Sequence, residues 1–167
     1  MLRGTRTYDG PFKGGASNRL CLGTRIPRAR RVGIHVSEHP LQVVRADLRK
    51  LREAWLRYQS TEGREAVYIY LAAVFDVVSR WRRAGKVDQY CGLALSVHST
   101  EIDMEPEPFA FLIFCTADPA KVDKKTRSKW SRALRVVQWN KRESQSVRDC
   151  IKSVGGINAC AAFFRQI

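Results

Sequence analysis

The chain has 167 residues, with 30 Lys and Arg against 16 Asp and Glu, a net charge of +14 and 44% hydrophobic residues. That length holds one core, or one domain and a tail, and its apolar content is enough to offset the entropy of folding. A collagen, a disulfide-framework miniprotein and an acidic disordered chain are excluded, and the charge favours a polyanionic partner.

The charge is uneven. Residues 1–40 and 121–167 hold 8 and 12 basic residues against 2 and 3 acidic ones, whereas residues 86–120 hold 1 basic and 6 acidic. Basic ends around an acidic middle point to surfaces that meet polyanions.

In chain order, residues 1–35 come first. Gly4, Gly10, Pro11, Gly14, Gly15, Gly23, Pro27 and Gly33 break every period there. The stretch ends on Arg28, Arg30 and Arg31 and reads as a flexible basic arm, with a single helical domain expected over residues 36–167. The longest apolar stretch, Ala66 to Val78, is interrupted by Asp76. It is shorter than the roughly 20 residues of a membrane span, so no membrane partner is expected.

The first predicted helix covers residues 41–59. Leu41, Val44, Leu48, Leu51, Trp55 and Tyr58 form one stripe at spacings of three and four, and Pro40 suits the first turn. Asp47 and Glu53 are placed to pair with the helix's own arginines and lysine. Thr61 reads as a possible cap for the second helix, residues 64–84, which is apolar nearly all round and therefore central. The short connection predicts a long antiparallel hairpin as the scaffold of an all-α domain. Asp76 inside the second helix needs a partner, and Arg80 at i+4 is the expected one.

Val87 to Val97 is compatible with a helix or a strand. Glu101 to Pro108 is an acidic, proline-broken loop. Phe109 to Cys115 has strand length, but a lone strand has no partner to pair with, so a short helix starting at Pro108 is expected. Asp118 and Pro119 read as the cap and first position of the next element, which becomes a basic helix from Asp123 to Trp139 with Trp130, Ala133, Leu134 and Val137 on its apolar face. Two short helices around Gly155-Gly156 end the chain.

The basic helix carries the strongest functional signal. Residues 121–142 hold nine Lys and Arg and one acidic residue, Asp123. Lys124, Lys125, Arg127, Lys129, Arg132, Arg135, Lys141 and Arg142 are the candidate nucleic-acid-binding residues. Thr126, Ser128 and Ser131 are candidate phosphate donors, and Trp130 and Trp139 are candidate stacking residues, with Trp130 better explained by core packing. The closing helices resemble a helix-turn-helix only in part. Cys150, Val154, Ala161 and Phe164 fall at its core positions, but the second helix offers little besides Asn158 and Arg165 to a base edge.

Asp103, Glu105, Glu107 and Asp118, with Lys121, have the residue types of a magnesium-dependent nuclease, but the loop lacks rigid geometry. Asp103, Glu105 and Glu107 are expected to tune binding and not to catalyse. No cofactor motif occurs, and no metal site is expected: His35 and His39 both precede Pro40, in a stretch that reads as a loop, with no cysteine nearby. Five cysteines, an odd number without C-x-x-C spacing, suit a reducing cytoplasm. The expectation is a non-enzymatic protein whose partner is DNA or RNA. The alternatives are a regulatory module docking its basic face on an acidic protein and, more weakly, a metal-dependent nuclease. The oligomeric state is not legible.

Deletion of residues 1–34 is expected to leave the melting temperature nearly unchanged, because few apolar side chains there can anchor the arm. A large drop in a thermal scan would make the arm part of the core.

Overall fold

The computed structural model describes residues 39–63, 65–98 and 107–166, all within the unit Val36–Ile167. The arm over residues 1–35 lies outside them, as do Glu101, Asp103 and Glu105. The chain forms α1 (Pro40–Ser60), α2 (Ala66–Arg83), α3 (Val87–His98), α4 (Pro108–Thr116), α5 (Lys124–Asn140), α6 (Val147–Ser153) and α7 (Ile157–Phe163), and a 3-10 turn, Phe164–Gln166, follows. Among the described residues there is no strand, so the class is all-α.

The stripe on α1 is buried at Val44, Leu48, Leu51 and Trp55, with Pro40 in the first turn. Thr61 belongs to this helix and does not cap the next. Its Oγ1 donates to the Arg57 carbonyl at 2.7 Å, satisfying one of the acceptors that a helix end leaves open. Helix α2 starts at Ala66 with no side-chain cap. It packs against α1, α3, α4, α5 and α6, which makes it the hub of the domain. Asp47 near the start of α1 meets Trp81 near the end of α2, while Trp55 meets Tyr70.

The two ambiguous segments are helices. On α3, Tyr90, Cys91 and Ala94 are buried, and the Tyr90 ring stands edge-on to Trp81 at 5.4 Å. Helix α4 buries Phe109, Phe111, Leu112, Ile113 and Cys115, so its continuous apolar run reflects burial on nearly every side.

A four-ring cluster joins α1, α2 and α5. Trp55 lies 5.1 Å from Tyr58, 5.3 Å from Tyr70 and 6.3 Å from Trp130. Trp130 lies 6.0 Å from Tyr58 and 5.9 Å from Tyr70. Such tilted and edge-on pairs contribute about 0.5–1.5 kcal/mol each beyond their buried area. The Tyr70 hydroxyl reaches Thr116 Oγ1 at 2.7 Å, and Thr116 Oγ1 donates to the Leu112 carbonyl at 2.6 Å. The one threonine proton is thereby committed, so Tyr70 is the donor to Thr116. Burial raises the Tyr70 pKa, which keeps that phenol protonated.

The buried carboxylate between α1 and α2 is Asp47, not Asp76. Asp76 is exposed, and Arg80 turns away from it to bond Asp47 Oδ1 at 2.8 Å. The Trp81 indole N–H donates to Asp47 Oδ2 at 2.8 Å. Asp47 therefore does not serve the arginines of its own helix. Its side chain is 3% exposed and Arg80's is 48% exposed, so the arginine neutralises the interior charge while keeping half its own surface in water.

Cys91, Cys115, Cys150 and Cys160 are free and buried. Burial pushes the Cys91 and Cys160 thiols up to about 11 and the Cys115 thiol up to about 12. At neutral pH they are small apolar groups, not nucleophiles.

Replacing Asp47 by Ala leaves the buried Trp81 N–H without an acceptor and is expected to cost about 2 kcal/mol. Asp76→Ala should stay within about 0.5 kcal/mol of the parent. Urea unfolding of both variants checks the assignment; equal losses would contradict it.

Candidate nucleic-acid interface

Helix α5 begins one residue after Asp123, whose carboxylate accepts the Thr126 N–H at 2.6 Å. That bond holds the Asp123 carboxyl below its ordinary range. Asp118 is not the cap of this helix. It closes a separate turn, accepting the Ala120 N–H at 2.9 Å on its side chain and the Lys121 and Val122 N–H groups on its carbonyl. The Asx turn at Asp118 and the N-cap at Asp123 flank Val122, which is buried between them.

Trp130, Ala133, Leu134, Val136 and Val137 are buried, which fixes the helix's rotation. At about 100° per residue, Lys124, Lys125, Ser128, Arg132, Arg135 and Trp139 then share one edge of little more than a quarter turn, with Lys129 beside it. Lys124, Lys125, Ser128, Lys129 and Trp139 are exposed, and Arg132 and Arg135 are half-buried. Six of the eight predicted cations lie on α5, and five of these point to this side.

Arg127 is the sixth and is set apart. It stands seven residues before Leu134, two turns away, and so faces the same interior direction. Its guanidinium lies 5.5 Å from the centre of the Phe114 ring, and its Nε and Nη1 are buried without a hydrogen bond. Arg135 lies over the Phe164 ring at 4.1 Å. Lys141, half-buried just past the helix, turns its Nζ to the carbonyls of Arg142 and Glu143, while Arg142 is exposed. Among the described residues no salt bridge engages any of the eight; the ion pairs present use Arg80, Arg148 and Lys152. Arg148 and Lys152 both bind Glu65, whose pKa is lowered chiefly by the hydrogen bond from Lys152.

The expected phosphate donors separate in the same way. Ser128 is exposed, but Ser131 is buried and donates to Glu107 Oε2 at 2.8 Å. Glu107 is the N-cap of α4: Oε1 accepts the Phe109 N–H at 3.3 Å and Oε2 the Ala110 N–H at 2.7 Å. The carboxylate read as part of an acidic loop thus caps one helix and ties it to α5. Spacing on one helix gave no sign of this, because Ser131 lies 24 residues away. Lys121 donates to Gln59 at 3.0 Å. Among the described residues no group of three metal-ligating side chains occurs. His98 faces the Cys115 carbonyl at 3.0 Å.

At the closing corner, Cys150 and Ala161 are buried and Val154 and Phe164 half-buried. Gly155 and Gly156 have φ values of 104° and 99°, where a side chain is strained. A cleft of about 670 Å³ runs past Tyr58, Tyr68, Trp130 and this glycine corner. It lies on the Trp130 side of α5, away from the cationic edge, and no lysine or arginine lines it.

Glu107→Ala removes the α4 cap and the partner of Ser131. It is expected to cost about 1–2 kcal/mol in urea unfolding while leaving affinity for a polyanion unchanged. A variant of unaltered stability would contradict the capping role. Comparison of the chain with family models, curated proteins and solved structures gives no match.

Proposed function

We propose that the chain is a non-enzymatic nucleic-acid-binding protein that grips the phosphate backbone, with little regard to sequence, through the outward edge of α5. The observation that supports this reading is the division of one helix. Its inner side is locked by Trp130, Leu134 and Val137, and its outer side carries Lys124, Lys125, Lys129 and Arg132 with no salt bridge among the described residues. Aligned cations without internal counter-charges displace the ions condensed on a nucleic acid, and the released ions drive binding. Arg135, Lys141 and Arg142 extend the edge; Arg127 serves packing. The paired helices α1 and α2 are the scaffold, and the arm over residues 1–35 adds non-specific affinity. Four buried, free cysteines suit a reducing compartment, so the proposed location is the cytoplasm.

A variant carrying Lys124→Glu, Lys125→Glu, Lys129→Glu and Arg132→Glu changes three exposed side chains and one half-buried one, none of them in the core, so the fold is expected to be retained. Its affinity for DNA and RNA should fall for every sequence. The slope of log affinity against log salt should become shallower by about 3, close to one unit per lost phosphate contact. Unchanged affinity and slope would place the surface elsewhere. A parent protein that binds no nucleic acid at low salt would favour the acidic-protein partner.

A further inference from the structure

The far end of the cationic edge carries a feature that charge does not explain. Trp139 is 51% exposed, whereas Trp55, Trp81 and Trp130 are 4%, 1% and 5% exposed. Lys125, Arg132 and Trp139 stand at intervals of seven residues, two turns each, and so form one line along α5, about 21 Å long at about 1.5 Å per residue. The indole is held in place. It stacks on Phe164 with centroids 5.6 Å apart and planes within 20° of parallel, and the Arg135 guanidinium also lies over that ring, at 4.1 Å. Phe163, next to it, is 42% exposed. A large apolar ring left half in water, stacked on Phe164 and aligned with a row of cations, has less conformational freedom to lose when a ligand arrives.

The chemistry selects the occupant. The lysines and Arg132 match a chain of phosphates, and a rigid indole beside them matches the flat face of a base. In a duplex those faces are covered by neighbouring base pairs; in a single strand they are open. An acidic protein would satisfy the cations but has no need of a stacked ring at the end of the row. We propose that Trp139, stacked on Phe164, is a base-stacking platform that makes the α5 edge select single-stranded over double-stranded nucleic acid. This rests on the reading of α5 as the binding edge.

The test uses the full chain, a mixed-sequence 20-nucleotide single strand as DNA and as RNA, and the matching blunt duplexes. Fluorescence anisotropy is read at one fixed salt concentration, and tryptophan emission is followed in parallel. The wild type should bind at least one of the two single strands more tightly than the duplexes, and its emission should be quenched on binding, since Trp139 is the exposed indole. Trp139→Ala should weaken single-strand binding roughly 5- to 100-fold and abolish the quenching, with duplex affinity and the salt slope unchanged. Trp139→Phe, which keeps a ring against Phe164, should recover part of the affinity; it also serves if the alanine variant does not fold. The ratio of RNA to DNA affinity then identifies the source of the strand. Equal binding of duplex and single strand by the wild type, or a Trp139→Ala variant with unaltered single-strand affinity, overturns the platform but leaves the α5 edge standing. Loss of all nucleic-acid binding from the wild type would instead remove the edge itself.

Discussion

The cluster of Trp55, Tyr58, Tyr70 and Trp130 sets the geometry of the rest. Three helices contribute to it, and no ring can leave without opening a void among the others. Trp130 is the only contribution from α5, and it decides which way that helix is rolled. With Trp130 turned in, Leu134 and Val137 follow one and two turns later, and Lys125, Arg132 and Trp139 are forced to the opposite side. The surface chemistry of α5 is therefore a consequence of an aromatic contact made with α1 and α2.

Two carboxylates hold the joints between helices, and each is almost fully used. Asp47 accepts from Arg80 and from the Trp81 indole across the α1–α2 interface. Glu107 accepts two backbone N–H groups of its own helix and a hydroxyl from α5. A carboxylate taken out of water is costly unless its lone pairs find donors, so both fix the relative positions of their helices more sharply than apolar contact alone. In a protein whose net charge is +14, interior negative charge also lowers the self-repulsion of the fold.

The local part of this architecture was legible in the sequence. The stripe of Val44, Leu48, Leu51 and Trp55 repeats at helical spacing, and so does Trp130, Leu134 and Val137; both stripes are buried where periodicity placed them. The short helices around Gly155 and Gly156 were readable because glycine costs a helix entropy and turns freely to positive φ. What stayed hidden was pairing over long separations. The i+4 rule joined Arg80 to Asp76, but the true partner, Asp47, is 33 residues away on another helix. Phe164, which orients Trp139, is likewise remote in sequence. Arg127 is a different case: its seven-residue offset from Leu134 was present in the sequence, and a count of basic residues concealed it.

The four interior thiols have a consequence for how the chain comes to be folded. Once the helices close, Cys91, Cys115, Cys150 and Cys160 are out of reach of oxidants. Before that, every cysteine of the chain is open to mispairing, and folding must outrun oxidation. Helical domains close in microseconds to milliseconds, whereas disulfides form over seconds to hours. The race is won by a wide margin, so in a chain synthesised even under mild oxidative stress these four thiols reach a state in which packing alone switches off their chemistry.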